Sequence, residues 1–573
     1  MTIPAAPQAE YFSFERPIRK VALIGVGAAG ATAVRHLRDA GLEVHAYERQ
    51  GKAGGVWNWQ PDVAPPLSVP TPAPSVGAFT PELPSTPLGS SPAEPTTHDI
   101  SNEDRLKFNP PNPVYWNLTN NVPTTAMVYK DYPYPEGTLP NVKHSVLSEY
   151  INGYVKHFDL AKHISFWTRV EKIDRIPESE GSAHRWRVTL HKAEPVAEGK
   201  VSESWWTEDV DGLIIGTGHY NAPFIPNLEG AKEWAEAWPE QVLHSNGYRY
   251  PEPYAGKVGE TETRDAADHQ NILIVGAGTS GIDIARDLTA AAKIYLVTKP
   301  ITSGPEDAKK MRQFQRSFLP DNTEGVPEIK RFLPPKAGEP VESGRVELVD
   351  GRIIDNVSLV LLSTGYQYSI PFLPQFHHDP ALGPVSDEEK AQLLITDGRG
   401  VLNLHRDVFF NADPTITFIG LSVNTAAFNF FEYQGIAVSR VFSGKARLPA
   451  LPRRLEEYAA LIQEKGEGKY SHFMGKVGEI KYVRKTVEWL NADADVLGAP
   501  HVEGHTQEWL AASDKLYEVF ALKYNIPIEQ LRAERGLPAK GFAQEALEHE
   551  QAREQAAGVG AVTAALQQTA IVA

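Results

Sequence analysis

Two sets of glycines in this chain of 573 residues have the spacing of phosphate-binding turns. The first set is Gly25, Gly27 and Gly30, directly after the apolar run Val-Ala-Leu-Ile. The first glycine permits a tight turn, the second lets the backbone approach a pyrophosphate, and the third lets a helix pack closely on the strand. The helix that follows points its N-terminal N–H groups at the anion. The spacing therefore predicts a dinucleotide-binding turn that includes Ala29, with a helix continuing from Ala31 to Ala40.

An acidic residue follows the first turn at the distance that ribose recognition requires. A second strand is predicted from Glu43 to Tyr47, and Glu48 stands at its end. A carboxylate at this position can accept hydrogen bonds from both ribose hydroxyls. The run Gly54-Gly55-Val56-Trp57 then offers a second close approach of the backbone and a flat apolar wall. This extension suits a flavin nucleotide, with Gly55, Val56 and Trp57 at the ligand, although Trp57 as a core residue is the alternative.

The second glycine set repeats the turn but ends differently. It follows a strand that starts at Asn271, precedes a helix to Leu288, and leads to a strand predicted for Lys293 to Val297. Its turn consists of Gly276, Gly278, Thr279, Ser280 and Gly281. The next strand ends in Thr298 and Lys299 rather than in a carboxylate. A hydroxyl and an ammonium can bind a 2′-phosphate that an acid would repel, which predicts NADPH. The alternative for Lys299 is a solvated surface lysine.

Two further apolar strands end in glycine turns on either side of the second nucleotide unit. The residues at these turns are Thr217, Gly218 and Tyr220 in the first and Thr364, Gly365 and Tyr366 in the second. Glycine allows the chain to turn sharply at a sheet edge. We interpret both turns as linkers where the chain crosses between two domains.

The whole pattern predicts an α/β fold with two Rossmann-like dinucleotide-binding domains and a helical C-terminal region. A helix is expected over 145–160 and a strand over 163–175, which contains Val170. The predicted division is a first part of the FAD-binding domain at 1–225 with a Pro-rich insertion at about 61–112, an NADPH-binding domain at 226–365, a second FAD part at 366–450, and helices at 451–573.

Composition excludes several classes of function. The chain has no cysteine, so disulfide exchange, thiolate nucleophiles and Cys-ligated metals are excluded. The net charge of −16, without a dense Lys/Arg cluster, argues against a nucleic-acid partner. No apolar run is long enough to span a bilayer and no secretory signal is recognisable, so we expect a cytoplasmic protein. The pairs His501/His505 and His377/His378 lack metal-site patterns and are interpreted as solvated, so no metal is predicted.

The residues resemble the flavin-containing monooxygenase family, in particular its soluble fungal members, from about Arg19 to about Pro452. One motif of this chain differs from the usual family pattern, because Trp238 and Glu240 occupy the positions of Phe and Gly before His244. Besides the two glycine turns, the resemblance rests on Gly54-Gly55-Val56-Trp57, Leu118-Thr119-Asn120-Asn121, Gly216-Thr217-Gly218, His244 with Tyr248-Arg249, Thr364-Gly365-Tyr366, Phe418-Ile419-Gly420-Leu421 and Glu432-Tyr433-Gln434.

The resemblance implies that NADPH reduces FAD and that O₂ then forms a flavin C4a-hydroperoxide, which a nitrogen or sulfur nucleophile of a small organic substrate attacks. It implies that Asn121 is catalytic and binds the cofactors, although capping of a turn beside Pro123 is the alternative. A helix from Gly435 onward is expected to follow a strand at Ile416 to Leu421, with Glu432 and Gln434 at its N-terminus. The other cofactor-binding residues that it implies are Leu118, Thr119, Val170, Thr217, Gly218, Tyr220, His244, Thr364, Gly365, Tyr366 and Gln434.

Three other functions are alternatives to the oxygenation of a nitrogen or sulfur atom. Baeyer–Villiger monooxygenases act on ketones and carry Trp followed by Pro or Asp where this chain has Tyr248-Arg249. Flavin disulfide reductases need a cysteine pair that the chain lacks. A non-catalytic dinucleotide-sensing protein would leave the Gly-Gly-Val-Trp run and Asn121 without a role. The expected partners of the leading hypothesis are O₂ and the small substrate, and a homo-oligomer is possible.

Overall fold

A computed structural model gives the fold of two compact units. The first unit comprises Met1–Leu118, Lys143–Ser422 and Gln434–Phe473, and the second comprises Thr119–Val142, Val423–Tyr433 and Met474–Ala573. The structure describes residues 10–63, 68–77, 79–254, 271–288, 293–300, 306–336, 338–340, 343–468 and 470–529. The C-terminal stretch beyond residue 529, part of the predicted helical region, lies outside the described residues.

All described strands belong to the first unit. In chain order the strands are β1 (Lys20–Ile24), β2 (Glu43–Tyr47), β3 (Thr96–Asp99), β4 (Ile164–Ser165), β5 (Thr168–Arg175), β6 (Trp186–Ala197), β7 (Lys200–Val210), β8 (Gly212–Ile215), β9 (Ala222–Pro223), β10 (Val242–His244), β11 (Asn271–Val275), β12 (Lys293–Val297), β13 (Thr323–Val326), β14 (Ile329–Phe332), β15 (Val346–Leu348), β16 (Ile353–Ile354), β17 (Val357–Leu362), β18 (Tyr366–Gln367), β19 (Leu404–His405), β20 (Phe409–Phe410) and β21 (Ile416–Phe418).

The α-helices are distributed over both units. They are α1 (Ala28–Asp39), α2 (Asn102–Phe108), α3 (His144–His157), α4 (Ala231–Ala237), α5 (Thr279–Asp287), α6 (Glu306–Arg316), α7 (Asp387–Lys390), α8 (Ala427–Phe442), α9 (Leu451–Lys465), α10 (Gly475–Leu497), α11 (Gln507–Ser513) and α12 (Leu516–Tyr524). No helix of the described residues is long and apolar enough to cross a membrane.

The first large sheet carries the first glycine turn. Its strand order is β19-β20-β21-β8-β1-β2-β4, and β1 pairs in parallel with both β2 and β8. Val21, Ala22 and Leu23 of β1 are completely buried, as expected for a strand covered on both faces. The strand–turn–helix–strand prediction for residues 21–47 is therefore confirmed, but α1 begins at Ala28, so Ala29 and Gly30 of the predicted turn lie in its first helical turn.

The second large sheet carries the second glycine turn. Its order is β10-β17-β11-β12-β13, and all neighbours are parallel. The strands predicted before and after the second turn are the observed β11 and β12. Two sheets whose strands around the glycine turns are parallel confirm the predicted α/β class with two Rossmann-like halves, although β19, β20 and β21 at one edge of the first sheet pair antiparallel. The four-part division of the chain remains a prediction.

Smaller sheets complete the first unit. One has the antiparallel order β3-β7-β6-β5, another has the order β14-β15-β16, and β9 pairs with β18 as a two-stranded ribbon. The strand predicted over 163–175 is divided into β4 and β5 because Trp167 takes a left-handed conformation (φ 57). The helix predicted at 145–160 is α3. Both β3 and α2 lie within the Pro-rich segment, which otherwise has little regular structure where it is described.

The second unit is built from a loop and helices. The Nε1–H of Trp509 in α11 donates to the Ala126 carbonyl at 2.9 Å, and the Ala426 N–H donates to Glu479 of α10 at 2.9 Å. Ala126, Ala426 and Trp509 share an apolar cluster. These contacts attach the C-terminal helices to the segment that contains Asn121.

Candidate functional site

The first glycine turn is closely packed. Gly25 has φ 92, and a Cβ added there would lie 2.7 Å from the Gly216 carbonyl oxygen. A Cβ on Gly30 would lie 2.0 Å from the Gly25 oxygen. Both positions therefore require glycine, as the spacing predicted. The N-cap of α1 is Gly27, and no side chain among the described residues caps the helix.

The Gly-Gly-Val-Trp run packs directly against this turn. A Cβ on Gly55 would lie 2.9 Å from the Gly27 Cα, and the Gly54 N–H donates to the Val26 carbonyl at 3.0 Å. The residues Gly55–Trp57 form a single 3₁₀ turn in which Trp57 is half-buried. The two glycine runs thus form one continuous backbone surface without side chains, which is the kind of surface that a phosphate group can approach closely.

Glu48 links the end of β2 to this surface. Its carboxylate accepts hydrogen bonds from the Val26 N–H at 2.7 Å and the Gln50 N–H at 2.9 Å. The side chain is buried, and burial raises the pKa of the carboxyl although both N–H donors oppose the shift. The acid is held at the turn, where a ribose hydroxyl could reach its remaining lone pairs.

Sequence reasoning missed the residues that fix the Gly-Gly-Val-Trp turn. Asn58 Nδ2 donates to Gln50 Oε1 at 2.6 Å, and Asn58 Oδ1 accepts from the Ser148 hydroxyl of α3 at 2.6 Å. Asn112 Nδ2 donates to the Gly55 carbonyl at 2.7 Å. The one available signal was Ser148, a small polar residue on the apolar face of the predicted helix.

The second glycine turn has the same construction. Gly276 has φ 108, and a Cβ there would lie 2.4 Å from the Ser363 carbonyl oxygen. A Cβ on Gly281 would lie 2.1 Å from the Gly276 oxygen. Gly278 is exposed, and a Cβ there would meet no described atom within 4 Å. Thr279 is the first residue of α5, and its hydroxyl accepts from a glutamine of α6, Gln315, at 3.3 Å.

The end of β12 carries the predicted phosphate ligands, but an acid stands beside them. Lys299 is 77% exposed, and its ammonium pairs with Glu328 at 2.5 Å. The Thr298 hydroxyl lies 3.5 Å from the Val326 carbonyl, and Arg316 Nη2 donates to the Lys299 carbonyl at 3.0 Å. Lys299 is therefore accessible to an anion, which would have to compete with Glu328 for it.

The two linker turns meet at the β9–β18 ribbon. Tyr366 pairs with Pro223 there, and its ring lies edge-on to those of Tyr220 and His244. His244 Nε2 donates to the Gly365 carbonyl at 3.0 Å while Nδ1 accepts the Asn246 N–H at 3.2 Å. Burial lowers the pKa of His244 to about 4, so the ring is neutral and joins the linkers rather than acting as a base.

Gln434 takes part in a buried polar chain. Its Oε1 accepts the Gly420 N–H at 2.9 Å, and its Nε2 lies 3.4 Å from the Ser422 hydroxyl. Ser422 in turn donates to Asp407, which also accepts from His472. The expected helix start was wrong, because α8 begins at Ala427. Gln434 and Glu432 thus lie inside the helix, and the expectation that its N-terminal dipole acts at these residues is withdrawn.

Asn120 and Asn121, neighbours in the second unit, have different contacts. Asn120 fixes the loop, since its Nδ2 donates to the Val122 and Pro140 carbonyls and its Oδ1 accepts the Val142 N–H at 2.6 Å. The Asn121 Oδ1 instead accepts from Lys523 Nζ at 2.8 Å. Turn capping therefore belongs to Asn120, one residue before the predicted position.

The remaining predicted positions lie in the core or at the turns of the structure. Val170 is buried in a core cluster with Ala22 and Ile24, and Leu118 packs against a second cluster. The Thr119 hydroxyl is buried without a partner among the described atoms. Ala29 is buried in α1, Val56 and Ser280 are half-buried, and Thr217, Gly218 and Thr364 lie at the linker turns.

Two histidine predictions were wrong, since both ring nitrogens of His377 are buried and burial lowers the pKa of His377 to about 4. His505 is not solvated, because it stacks on Trp509 with ring centroids 3.5 Å apart, and burial lowers its pKa to about 3. His501 is 61% exposed and pairs with Asp495 at 2.8 Å. Within the described ranges no group of three or more His, Cys, Asp or Glu residues could hold a metal ion.

The residues of both glycine turns fit dinucleotides. Each turn has positions where only glycine fits, and one turn ends at a buried acid while the other ends at an exposed lysine. Gly27, Gly55 and Glu48 would hold the pyrophosphate and ribose of FAD, and Gly278 with Lys299 would hold NADPH. The FAD would supply the redox chemistry.

Comparison with known proteins agrees with this geometry. The family described as "FMO-like: Flavin-binding monooxygenase-like" matches residues 107–303. Flavin-containing monooxygenase iboF of Amanita muscaria is 32% identical over 506 residues, which cover 86% of this chain and 92% of the relative. Flavin-containing monooxygenase ustF2 of Aspergillus flavus is 30% identical, with 88% of this chain and 98% of the relative covered.

Solved structures show the same fold. The S-allyl-L-cysteine S-oxygenase of Allium sativum superposes with a TM-score of 0.53 at 22% identity, covering 94% of this chain and 98% of that one. Tmm of a Pelagibacter strain superposes with a TM-score of 0.58 at 18% identity, covering 88% and 91% of the two chains. At these identities the comparison establishes the architecture.

Proposed function

Since this chain belongs to the flavin-containing monooxygenase family and is an FAD-dependent oxidoreductase that uses NADPH, we propose that it oxygenates a soft nucleophilic nitrogen or sulfur atom of a small organic substrate. One oxygen atom of O₂ enters the product and the other leaves as water, with both electrons of NADPH consumed. Bound FAD supplies this redox chemistry, and the protein contributes binding, orientation and exclusion of water.

The observation that carries the proposal is the difference between the two strand ends. The first turn has a buried carboxylate, Glu48, at the ribose position, whereas the corresponding strand of the second turn ends at exposed Lys299. An acid accepts ribose hydroxyls and repels a 2′-phosphate, and an ammonium attracts it. This difference supports FAD at the first turn and NADPH at the second, the pair that a monooxygenase of this kind requires.

The glycine turns, and the residues that the family resemblance implies, give the proposed cofactor ligands. The first turn would hold FAD, the second would hold NADPH, and the linker residues would contribute to binding both. The FAD residues are Gly25, Gly27, Ala29, Gly30, Glu48, Gly55, Val56, Trp57, Leu118, Thr119, Val170 and Gln434. The NADPH residues are Gly276, Gly278, Thr279, Ser280, Gly281, Thr298 and Lys299, and the linker residues are Thr217, Gly218, Tyr220, His244, Thr364, Gly365 and Tyr366.

Asn121 is the catalytic residue of this proposal. Because the Asn120 side chain already holds the loop through four hydrogen bonds, the Asn121 carboxamide is not needed for the turn. With FAD bound, its amide would be free to donate a hydrogen bond to the oxygen atom that is transferred. A donor prepared in advance in a water-poor site stabilises developing negative charge more than water does.

A substrate panel tests the proposal. The purified full chain is supplied with NADPH or NADH and with a thioether, a tertiary amine or a cyclic ketone, and cofactor oxidation, O₂ uptake and products are measured. We expect a yellow protein that prefers NADPH and forms a sulfoxide or an N-oxide. A product from the ketone alone would indicate a Baeyer–Villiger enzyme. A colourless protein without NADPH oxidation would support a dinucleotide sensor.

A further inference from the structure

The C-terminal helix α12 contacts the residue to which the proposed function assigns catalysis. Lys523 lies in the last turn of α12, and its ammonium donates to Asn121 Oδ1 at 2.8 Å. The two residues are 402 positions apart in the chain. We propose that Lys523 is a positioning residue that sets the orientation of the Asn121 carboxamide, an inference that rests on the proposed function.

The chemistry of an amide makes this contact directional. A carboxamide has an acceptor oxygen at one end and two N–H donors at the other, and a half-turn about its side-chain bond exchanges them. An ammonium has only donors, so it bonds the oxygen and repels the N–H end. The Lys523 contact therefore holds Oδ1 toward α12 and directs Nδ2, the donor that the proposed reaction uses, away from it.

The backbone on both sides of this contact is fixed independently. Asn120 anchors the loop to Val142 and Pro140, so Asn121 cannot move away with its backbone. Trp509 Nε1 donates to the Ala126 carbonyl at 2.9 Å, which attaches α11 to the same loop. With both backbones held, the remaining motion is rotation of the Asn121 amide, and the Lys523 contact restricts that rotation.

Helix α12 is packed so that it can present the lysine. Val519, Phe520 and Tyr524 of this helix are buried, and Lys523 is half-buried. A lysine in the last turn is also favoured by the negative end of the helix dipole. Lys515, which precedes α12, is exposed and provides a matched control on the same segment.

The test compares Lys523→Met, Lys523→Arg, Lys515→Met, Asn121→Ala and the double variant Asn121→Ala with Lys523→Met. The purified holoenzyme, with the thioether or amine that it oxygenates, is assayed for hydrogen peroxide released per NADPH oxidised and for anaerobic flavin reduction by NADPH. We expect Lys523→Met to raise the peroxide ratio about two- to tenfold. Lys523→Arg and Lys515→Met should leave the ratio near that of the parent, and flavin reduction should not change.

The double variant decides whether Lys523 acts through Asn121. If it does, Lys523→Met adds nothing to the peroxide ratio of Asn121→Ala. Thermal unfolding of the flavin-free protein gives a second readout. The sum of the Tm losses of the two single variants should exceed the Tm loss of the double variant. Should Lys523→Met not fold, Lys523→Gln, a neutral donor, replaces it in the same comparison with Lys523→Arg.

The outcomes separate this inference from the proposed function. An Asn121→Ala variant that releases peroxide, beside a Lys523→Met variant that stays coupled, overturns the role of Lys523 and leaves Asn121 catalytic. Additive effects in the double variant also overturn it, because Lys523 would then act elsewhere. A fully coupled Asn121→Ala variant would overturn the catalytic assignment itself, and the positioning role with it.

Discussion

The carboxylate of Glu48 and the backbone N–H of Val26 form a hydrogen bond of 2.7 Å that ties the end of β2 to the first glycine turn. The same carboxylate accepts the Gln50 N–H, so one buried side chain holds both the glycine turn and the chain that follows β2. The group proposed to read the ribose is thus already oriented before any ligand binds, which lowers the entropic cost of binding.

Replacing Glu48 should mainly weaken FAD binding. Glu48→Ala removes the ribose acceptor and leaves two buried N–H groups unpaired, whereas Glu48→Gln retains one acceptor oxygen. We expect the FAD dissociation constant to rise about 10- to 100-fold for Glu48→Ala and less for Glu48→Gln. Glu43→Ala, an exposed acid on the same strand, is the control. Activity that added FAD restores supports the assignment, and a variant that no FAD rescues would make Glu48 a core residue instead.

Substitutions of Lys299 and Glu328 should change the KM for NADPH in opposite directions. Lys299→Ala removes the phosphate contact, so the KM for NADPH should rise about tenfold or more while that for NADH stays nearly constant. Glu328→Gln frees the lysine from its ion pair and should lower the KM for NADPH. Steady-state kinetics with both cofactors measure this. Equal losses for NADPH and NADH in Lys299→Ala would show that the phosphate binds elsewhere.

The adjacent asparagines form a matched pair. Asn120→Ala breaks four hydrogen bonds of the loop and should lower Tm by several degrees, since each unpaired buried group costs about 1–3 kcal/mol. Among the described residues Asn121→Ala breaks only the Lys523 contact, so it should lose less Tm than Asn120→Ala and keep its FAD, but it should release more peroxide per NADPH. A well-coupled but unstable Asn121→Ala variant would contradict the catalytic role.

Stability should depend on pH through Glu479. This acid is buried, its Oε2 accepts the Ala426 N–H at 2.9 Å, and burial raises its pKa from 4.5 to about 8. Because the folded state favours the protonated form of Glu479, the contribution of this acid to the free energy of unfolding is complete below pH 4.5. That contribution is lost as the pH rises through about 8. Glu479→Gln, neutral at every pH, should therefore have the higher Tm above pH 8. Parallel Tm curves for parent and variant from pH 6 to pH 9 would contradict this.

Local patterns predicted the dinucleotide units because each lies within one short stretch of chain. Gly30 is limited by its own turn, since a Cβ there would lie 2.0 Å from the Gly25 oxygen, whereas the limit at Gly25 comes from Gly216, which is distant in the chain. The start of α8 was mispredicted because Phe428 and Phe430 are both fully buried, so this part of the helix has no polar face to reveal its period. The Lys523–Asn121 contact joins residues 402 positions apart, and no local pattern encodes it.

The central claim is that one oxygen atom of O₂ is transferred to a nitrogen or sulfur atom at the cost of one NADPH. The most direct measurement supplies ¹⁸O₂ and NADPH with the thioether, the tertiary amine and the cyclic ketone, and determines ¹⁸O in each product by mass spectrometry. The account predicts one ¹⁸O atom in the sulfoxide or the N-oxide and an unchanged ketone. Labelled product from the ketone alone, or NADPH oxidation that yields only hydrogen peroxide with all three, would contradict it.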